Sequence, residues 1–325
     1  MIIDMPDTDT ASVGRRLVAE REATGFSALG RVLTLVVITR PEDAEHAVET
    51  AAAASREHPM RVITVIIRPD EPVDRLDAQL RLGADDGASE VVVMAALGRV
   101  DGSIDTLVMG LLLPDVPVVL WFTGDLATSP ESEALASLGS LGRIAARRVS
   151  DVTHAADPVA ALRIAAERYQ PGDADLAWSQ ISILRAQLAA TLDQPPYLTV
   201  TAARMRGRVR SPEFRLLAAW LVLSLGVPVT LEAADSPISI AEVALTRADG
   251  DITLIGDPAA GVTRLRLPDL PEQHLPLTQR TAAECLSEEL RRLDQDRVYG
   301  DVLRRGLPLL DGGPLRDADE DGRHV

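Results

Sequence analysis

The sequence predicts an α/β protein, in which an N-terminal, mainly parallel sheet covered by helices is followed by a C-terminal α+β domain. In the first half, short continuous runs of Val, Ile and Leu alternate with helical patterns, as strands buried on both faces do. In the second half strands follow one another, with helices at the ends. A length of 325 residues also exceeds what one core usually serves, so two domains are expected.

Residues 8–23 read as a helix, with Val13 and Leu17 one turn apart and Gly25 as its stop. Residues 31–38 (RVLTLVVI) form a buried-strand pattern. Pro41, Glu42 and Asp43 open a helix in the favoured way, and it is expected to run to Arg56. His58-Pro59 ends it, and residues 61–67 (RVITVII) make a second buried strand. Leu76, Ala78, Leu80 and Leu82 then alternate with polar residues, a half-buried strand of period two. Asp85-Asp86-Gly87 can turn it back into residues 90–95 (EVVVMA) as an antiparallel hairpin. A short apolar helix over 104–112 is stopped by Pro114. Residues 117–122 (PVVLWF) form another buried strand, 131–138 a short helix and 146–149 a last short strand. Asp157 caps a helix with proline at its first position, running to Arg168.

Gln170-Pro171-Gly172-Asp173 reads as a linker. The expected domains are therefore 1–170 and 171–305, followed by a flexible tail over 306–325 rich in Gly, Pro and acids. Beyond the linker, residues 175–192 predict one long amphipathic helix with Ala177, Ile181, Leu184, Leu188 and Leu192 on a stripe. Strands are expected at 198–206 and 227–231 around a helix at 212–225. A hairpin follows over 238–247 and 252–255, then a strand at 262–267. Residues 278–305 read mostly as helix, capped by Thr281 with Glu284 three residues on.

Composition excludes several functions. Hydrophobic residues are 46% and aromatics only 3%, so the core is built from Ala, Val, Leu and Ile. Mean hydropathy is +0.07 and the sequence pI is near 4.8. A net charge of −16 repels the phosphate backbone, which argues against nucleic-acid binding. No apolar run approaches membrane-spanning length, and the acidic start lacks a signal peptide, so a cytoplasmic protein with no membrane partner is expected. The single cysteine, Cys285, excludes an intrachain disulfide and a cysteine metal cluster. All 33 basic residues are arginine, which removes Walker A and Schiff-base chemistry.

No G-x-G-x-x-G follows the first strand. Gly256 and Gly261 flank a stretch that reads as a hairpin loop, and no G-x-S-x-G elbow is present. No two histidines sit at metal-ligand spacing. No cofactor, metal or catalytic residue is therefore expected. His154 lies just after a strand, where ligands of open α/β sheets collect, so Ser150 and His154 mark a candidate ligand crevice, in which a phosphate or carboxylate would use Arg147, Arg148 and His154. The other reading is a loop held by its own hydrogen bonds. Trp178 and Arg185 stand seven residues apart on one helical face, in a segment that ends with Asp193 and Gln194. Such a pair suits a binding hot spot, or else Trp178 fills a domain interface while Arg185 pairs with an acid.

Six stretches resemble the glucose-6-phosphate dehydrogenase assembly protein, or OpcA, family. They are 54–61 (ASREHPMR), 76–93 (LDAQLRLGADDGASEVVV), 111–119 (LLLPDVPVV), 146–158 (ARRVSDVTHAADP), 169–196 (YQPGDADLAWSQISILRAQLAATLDQPP) and 284–299 (ECLSEELRRLDQDRVY). The resemblance implies a non-catalytic protein that binds glucose-6-phosphate dehydrogenase and promotes its assembly or allosteric activation. It would thereby support the oxidative pentose phosphate pathway and NADPH supply. On this reading Trp178, Arg185, Asp193 and Gln194 are candidate partner-binding residues, with Arg56, His58, Arg148 and Asp151 as a second patch. Thioredoxin control is associated with cyanobacterial relatives. With Cys285 alone, an intrachain switch cannot operate here.

Overall fold

Buried β-branched runs dictate the first sheet. It is built from β1 (Ile2–Met5), β2 (Leu33–Thr39), β3 (Met60–Arg68), β4 (Arg75–Leu82), β5 (Glu90–Leu97), β6 (Val118–Phe122), β7 (Ala145–Ser150) and β8 (Asp173–Asp175). The computed structural model describes residues 1–24, 31–68, 71–82, 90–98, 104–124, 126–128, 138–277 and 279–311. Strand order is β1-β4-β5-β3-β2-β6-β7-β8. From β5 to β8 the strands run parallel, while β4 and β1 add an antiparallel edge. Every residue of β2 and β6 is buried, as central strands covered on both faces must be.

Alternation along the strands sends side chains to two apolar layers. On one face Val36, Ile38, Ile63, Val92 and Leu120 pack with Val13 and Leu17 of the helix Thr10–Thr24 and with Leu107 and Val108 of the helix Ile104–Val108. On the other, Leu35, Val37, Val62, Val119 and Trp121 meet Ala47, Val48 and Ala51 of the helix Ala44–Ala54. Cys285, Leu286 and Leu290 of the helix Ala282–Arg291 complete that second layer. At the start of the strands, Glu90 pairs with Arg31 at 2.7 Å, with Arg21 at 2.5 Å and with Arg61 at 3.4 Å.

The chain divides into two compact units. The first comprises Met1–Ala156, Gln170–Leu176 and Thr281–Asp296, and the second Asp157–Tyr169, Ala177–Arg280 and the chain from Arg297. A buried ion pair fastens the late segment into the first unit: the Arg147 guanidinium reaches the Glu289 carboxylate. It also donates to the carbonyls of Arg292 at 3.0 Å and Asp294 at 2.8 Å.

The second unit holds a sheet of β9 (Ala202–Gly207), β10 (Val229–Ala233), β11 (Ile240–Arg247), β12 (Gly250–Asp257), β13 (Val262–Arg266) and β14 (Gln273–Pro276), in the order β10-β9-β11-β12-β13-β14. Only the β10–β9 pairing within it is parallel. The helix Pro212–Leu225 begins with Ser211 accepting from the Phe214 N–H and ends at Gly226, whose φ of 65° suits glycine. A π segment, Val302–Gly306, joins the helices Arg297–Asp301 and Leu307–Asp311. A Cβ on Gly306 would lie 2.7 Å from the Ala219 carbonyl oxygen, so glycine permits that close approach.

Several elements depart from the sequence reading. The helix expected from Pro41 starts at Ala44, because the N–H groups of Asp43 and Ala44 turn back to Arg40 and Pro41. The single helix over 175–192 is instead the edge strand β8, a short helix Leu176–Gln180 and the helix Ser182–Leu192, interrupted at Ile181. Helix over 278–305 is broken after Arg291, where Arg147 captures the carbonyls of Arg292 and Asp294. Leu307–Asp311 is helical where the tail was expected. β1 and β14 were not anticipated. The turn at Asp85–Gly87, the stop at Gly25 and residues 131–137 of the helix expected over 131–138 lie outside the described residues. Among the described residues, no helix is long and apolar enough to cross a membrane.

Removing one partner of a buried pair strands a charge. Arg147→Ala should therefore lower the stability of the first unit by about 3–5 kcal/mol in urea unfolding, and Arg147→Met with Glu289→Leu should restore most of it. Equal stability of Arg147→Ala and the parent would show that the pair holds nothing.

Candidate functional site

Two side-chain pairs lie at the carboxyl end of β7, where an open parallel sheet collects ligands. Ser150, the last residue of β7, donates from Oγ to Asp175 Oδ2 at 2.6 Å. Asp175 is fully buried and also accepts the Val152 N–H at 3.2 Å, so β8 supplies a carboxylate that closes the end of β7. Asp151 caps a short 3-10 turn, Val152–His154, accepting at Oδ1 from the Thr153 N–H and hydroxyl. Its Oδ2 lies 2.9 Å from His154 Nδ1, and the His154 side chain is 65% exposed.

The Ser150 hydroxyl is thus engaged by a carboxylate, while the imidazole is engaged by a different one. Both residue types of a nucleophile–base couple are present, but each is bound elsewhere. The arrangement orders a corner and presents one imidazole edge to solvent. Burial acts to raise the Asp151 carboxyl, and the bonds from His154 and Thr153 outweigh it, holding the group below its ordinary value of 3.8. On the neighbouring strand face, Arg148 Nε meets Asp173 Oδ1 at 2.6 Å and Nη1 meets Gln170 Oε1 at 2.9 Å.

Arg148, Ser150, Asp151 and His154 are therefore brought together along β7. Arg56 is exposed after the helix Ala44–Ala54, and His58 Nε2 donates to the Ser287 carbonyl at 2.9 Å. That bond ties His58 to the helix Ala282–Arg291.

In the second unit Trp178 is only 1% exposed. Its ring lies 5.6 Å from that of Tyr299, which in turn meets Tyr169 edge-on at 6.3 Å. The Arg185 guanidinium sits 3.5 Å from the Trp178 ring centroid, a cation–π stack. Of this pair Arg185 is the half-buried cover and Trp178 the core beneath it. Asp193 follows the helix Ser182–Leu192 as its C-cap, and both it and Gln194 are exposed.

Sequence reasoning missed a pocket of about 320 Å³ in the second unit, lined among others by Gln180, Arg208, Glu213 and Arg280. The available signal was Ser211-Pro212-Glu213, which reads as a helix start and hides the pocket-lining role of its acid. Among the described residues, no cluster of three or more His, Cys, Asp or Glu could hold a metal ion.

A carboxylate whose folded pKa is depressed contributes stability above its unfolded value, and that stability fades as pH falls through the folded one. Asp151→Asn should therefore be less stable than the parent near neutral pH, with the gap closing below the ordinary 3.8. Urea midpoints measured from neutral to strongly acidic pH check this. A gap that stays constant with pH would contradict it.

The sequence matches known domain families over most of its length. Two domain families, described as the N-terminal domain and the C-terminal domain of the glucose-6-phosphate dehydrogenase subunit, match residues 51–167 and 171–303 respectively. No curated protein matches the sequence. Among solved structures, UDP-N-acetylglucosamine 3-dehydrogenase GnnA from Acidithiobacillus ferrooxidans is similar in two crystal forms, at 11% and 12% identity, with 85% of this chain and 96% and 95% of that chain covered. The TM-scores are 0.38 and 0.39. The two domain matches follow one another across most of the chain, and the chain belongs to the OpcA family of glucose-6-phosphate dehydrogenase assembly proteins.

Proposed function

We propose that this chain is a non-catalytic accessory protein that binds glucose-6-phosphate dehydrogenase and promotes its assembly or allosteric activation. The consecutive match to both domain families carries this reading. Cofactor and sugar phosphate then belong to the partner, and the effect of the chain is on NADPH supply by the oxidative pentose phosphate pathway in the cytoplasm. Activation requires that the chain bind the active conformation or oligomer of the dehydrogenase more tightly than the inactive one. A tenfold shift of that equilibrium takes about 1.4 kcal/mol of differential affinity.

The candidate contact residues divide by exposure. Asp193, Gln194 and Arg56 are exposed and available to a partner, as is the imidazole of His154. Arg148 and His58 are half-buried, Arg185 covers Trp178, and Asp151 acts by holding His154. A second reading, a sugar-phosphate-binding sensor or enzyme using the crevice at Ser150 and His154, is supported by their place at the carboxyl end of β7. Stabilisation of the chain by glucose 6-phosphate, without the dehydrogenase, would favour that second reading.

The test is NADP reduction by the dehydrogenase of the same organism, with and without this chain, alongside co-purification. A stable complex and a raised rate are expected. Asp193→Ala with Gln194→Ala should reduce the activation while leaving the melting temperature unchanged. Trp178→Ala should instead destabilise the second unit by about 3–5 kcal/mol, as removal of a buried aromatic does. No complex and no change in rate would overturn the proposal.

A further inference from the structure

The pocket in the second unit combines three chemistries that no part of the proposed function uses. Arg208 and Arg280 place two guanidinium groups on its wall. Arg208 Nη2 donates to Ser239 Oγ at 2.8 Å, and Arg280 Nη1 donates to the Ser179 carbonyl and Ser182 Oγ, both at 3.1 Å. These bonds hold each guanidinium in place at the pocket wall. Glu213 brings a carboxylate from the first turn of the helix Pro212–Leu225. It is 8% exposed, and its Oε2 is buried with no hydrogen-bond partner. Apolar side chains of Ile181, Leu184, Ile238, Val243, Leu254 and Leu277 line the remainder.

A buried carboxylate oxygen without a donor is a costly thing to keep. The terminal torsion of a glutamate is soft, so a cationic donor entering the pocket can draw that oxygen round to itself. Two cations, one anion and an aliphatic wall complement a small zwitterion with a hydrocarbon tail. A phosphorylated sugar suits the arginines but sets its anion beside Glu213 and leaves the aliphatic wall unused. A volume of about 320 Å³ lies at the small end of ligand pockets, enough for one such molecule. We propose that this pocket binds an aliphatic α-amino acid, with its ammonium on Glu213, its carboxylate on Arg208 and Arg280, and its side chain against Leu184, Val243 and Leu254. The proposal stands apart from the dehydrogenase reading, since it needs only the second unit.

Calorimetric titration of the full chain with L-leucine, L-methionine and L-valine tests it. Saturable binding of at least one is expected. L-leucinamide, which lacks the carboxylate, and 4-methylpentanoate, which lacks the ammonium, should each bind about tenfold or more weakly than leucine. Glu213→Gln should weaken leucine by about the same factor and leave 4-methylpentanoate unchanged. If that variant does not fold, exposed Arg208 gives a second route: Arg208→Gln should weaken leucine and 4-methylpentanoate but not leucinamide. The proposal is overturned by an absence of saturable heat with all three amino acids at millimolar concentration. Equal affinity for leucine and 4-methylpentanoate would overturn it too, as would saturation by glucose 6-phosphate in their place.

Discussion

One buried ion pair holds the late segment of the chain in the first unit. Arg147 sits in β7 and Glu289 in a helix 142 residues later, each side chain almost wholly out of water. Neither charge tolerates burial alone, so the returning segment is committed to this sheet once the pair forms. The same guanidinium takes the carbonyls of Arg292 and Asp294 and so ends the helix Ala282–Arg291 where it does. With the helix in place, Cys285, Leu286 and Leu290 fill the layer over Leu35, Val62 and Trp121. Alternation along β7 then does the rest: Arg147 points to that layer, and Arg148 and Ser150 point to the other side, where Asp173 and Asp175 of β8 receive them. The corner that holds Asp151 and His154 is positioned by this register.

The two candidate surfaces suit a protein that acts by binding, for different reasons. Around His154 a buried base of hydrogen bonds carries an exposed imidazole, so the presented group is held while its foundation stays dry. In the second unit Tyr169, Tyr299 and Trp178 form a short aromatic stack, with Arg304 over Tyr169 and Arg185 over Trp178. Rigid aromatic packing under arginine loses little freedom when a partner arrives. The amino-acid pocket proposed in the second unit would give that unit a means of responding to a small molecule.

What could be read from the sequence was what is local. Pro212–Leu225 was legible because Ser211-Pro212 and Gly226 mark its ends, and Thr281 with Glu284 announced the capping box of Ala282–Arg291. The buried runs of β2, β3 and β6 and the β4–β5 pairing follow from apolar periodicity. The failures share a physical cause, which is a partner distant in sequence. Asp175 reads as the start of a helix until Ser150 claims its carboxylate for the sheet edge. The break after Arg291 depends on Arg147, and the parallel pairing of β10 with β9 depends on a helix folding back between them. β14 is a polar tetrapeptide ending in proline, which carries no strand signal by itself. At the candidate site, the seven-residue spacing pointed to Trp178 and Arg185 as neighbours on one helix, whereas the helix breaks at Ile181 and Arg185 stacks on a buried Trp178, which spacing alone does not show. Glu213 was hidden because an acid in a first turn already has an ordinary explanation.

Native-state hydrogen exchange of the helix Ala282–Arg291 tests the central claim most directly, read against β2, β3 and β7. If this helix is an integral part of the first unit, its amides should exchange in the same slow class as those strands, and Arg147→Ala should move all of them together. Fast exchange of the helix beside a fully protected sheet would mean that the segment is only laid on the surface, and that the pair of Arg147 and Glu289 does not hold the unit together.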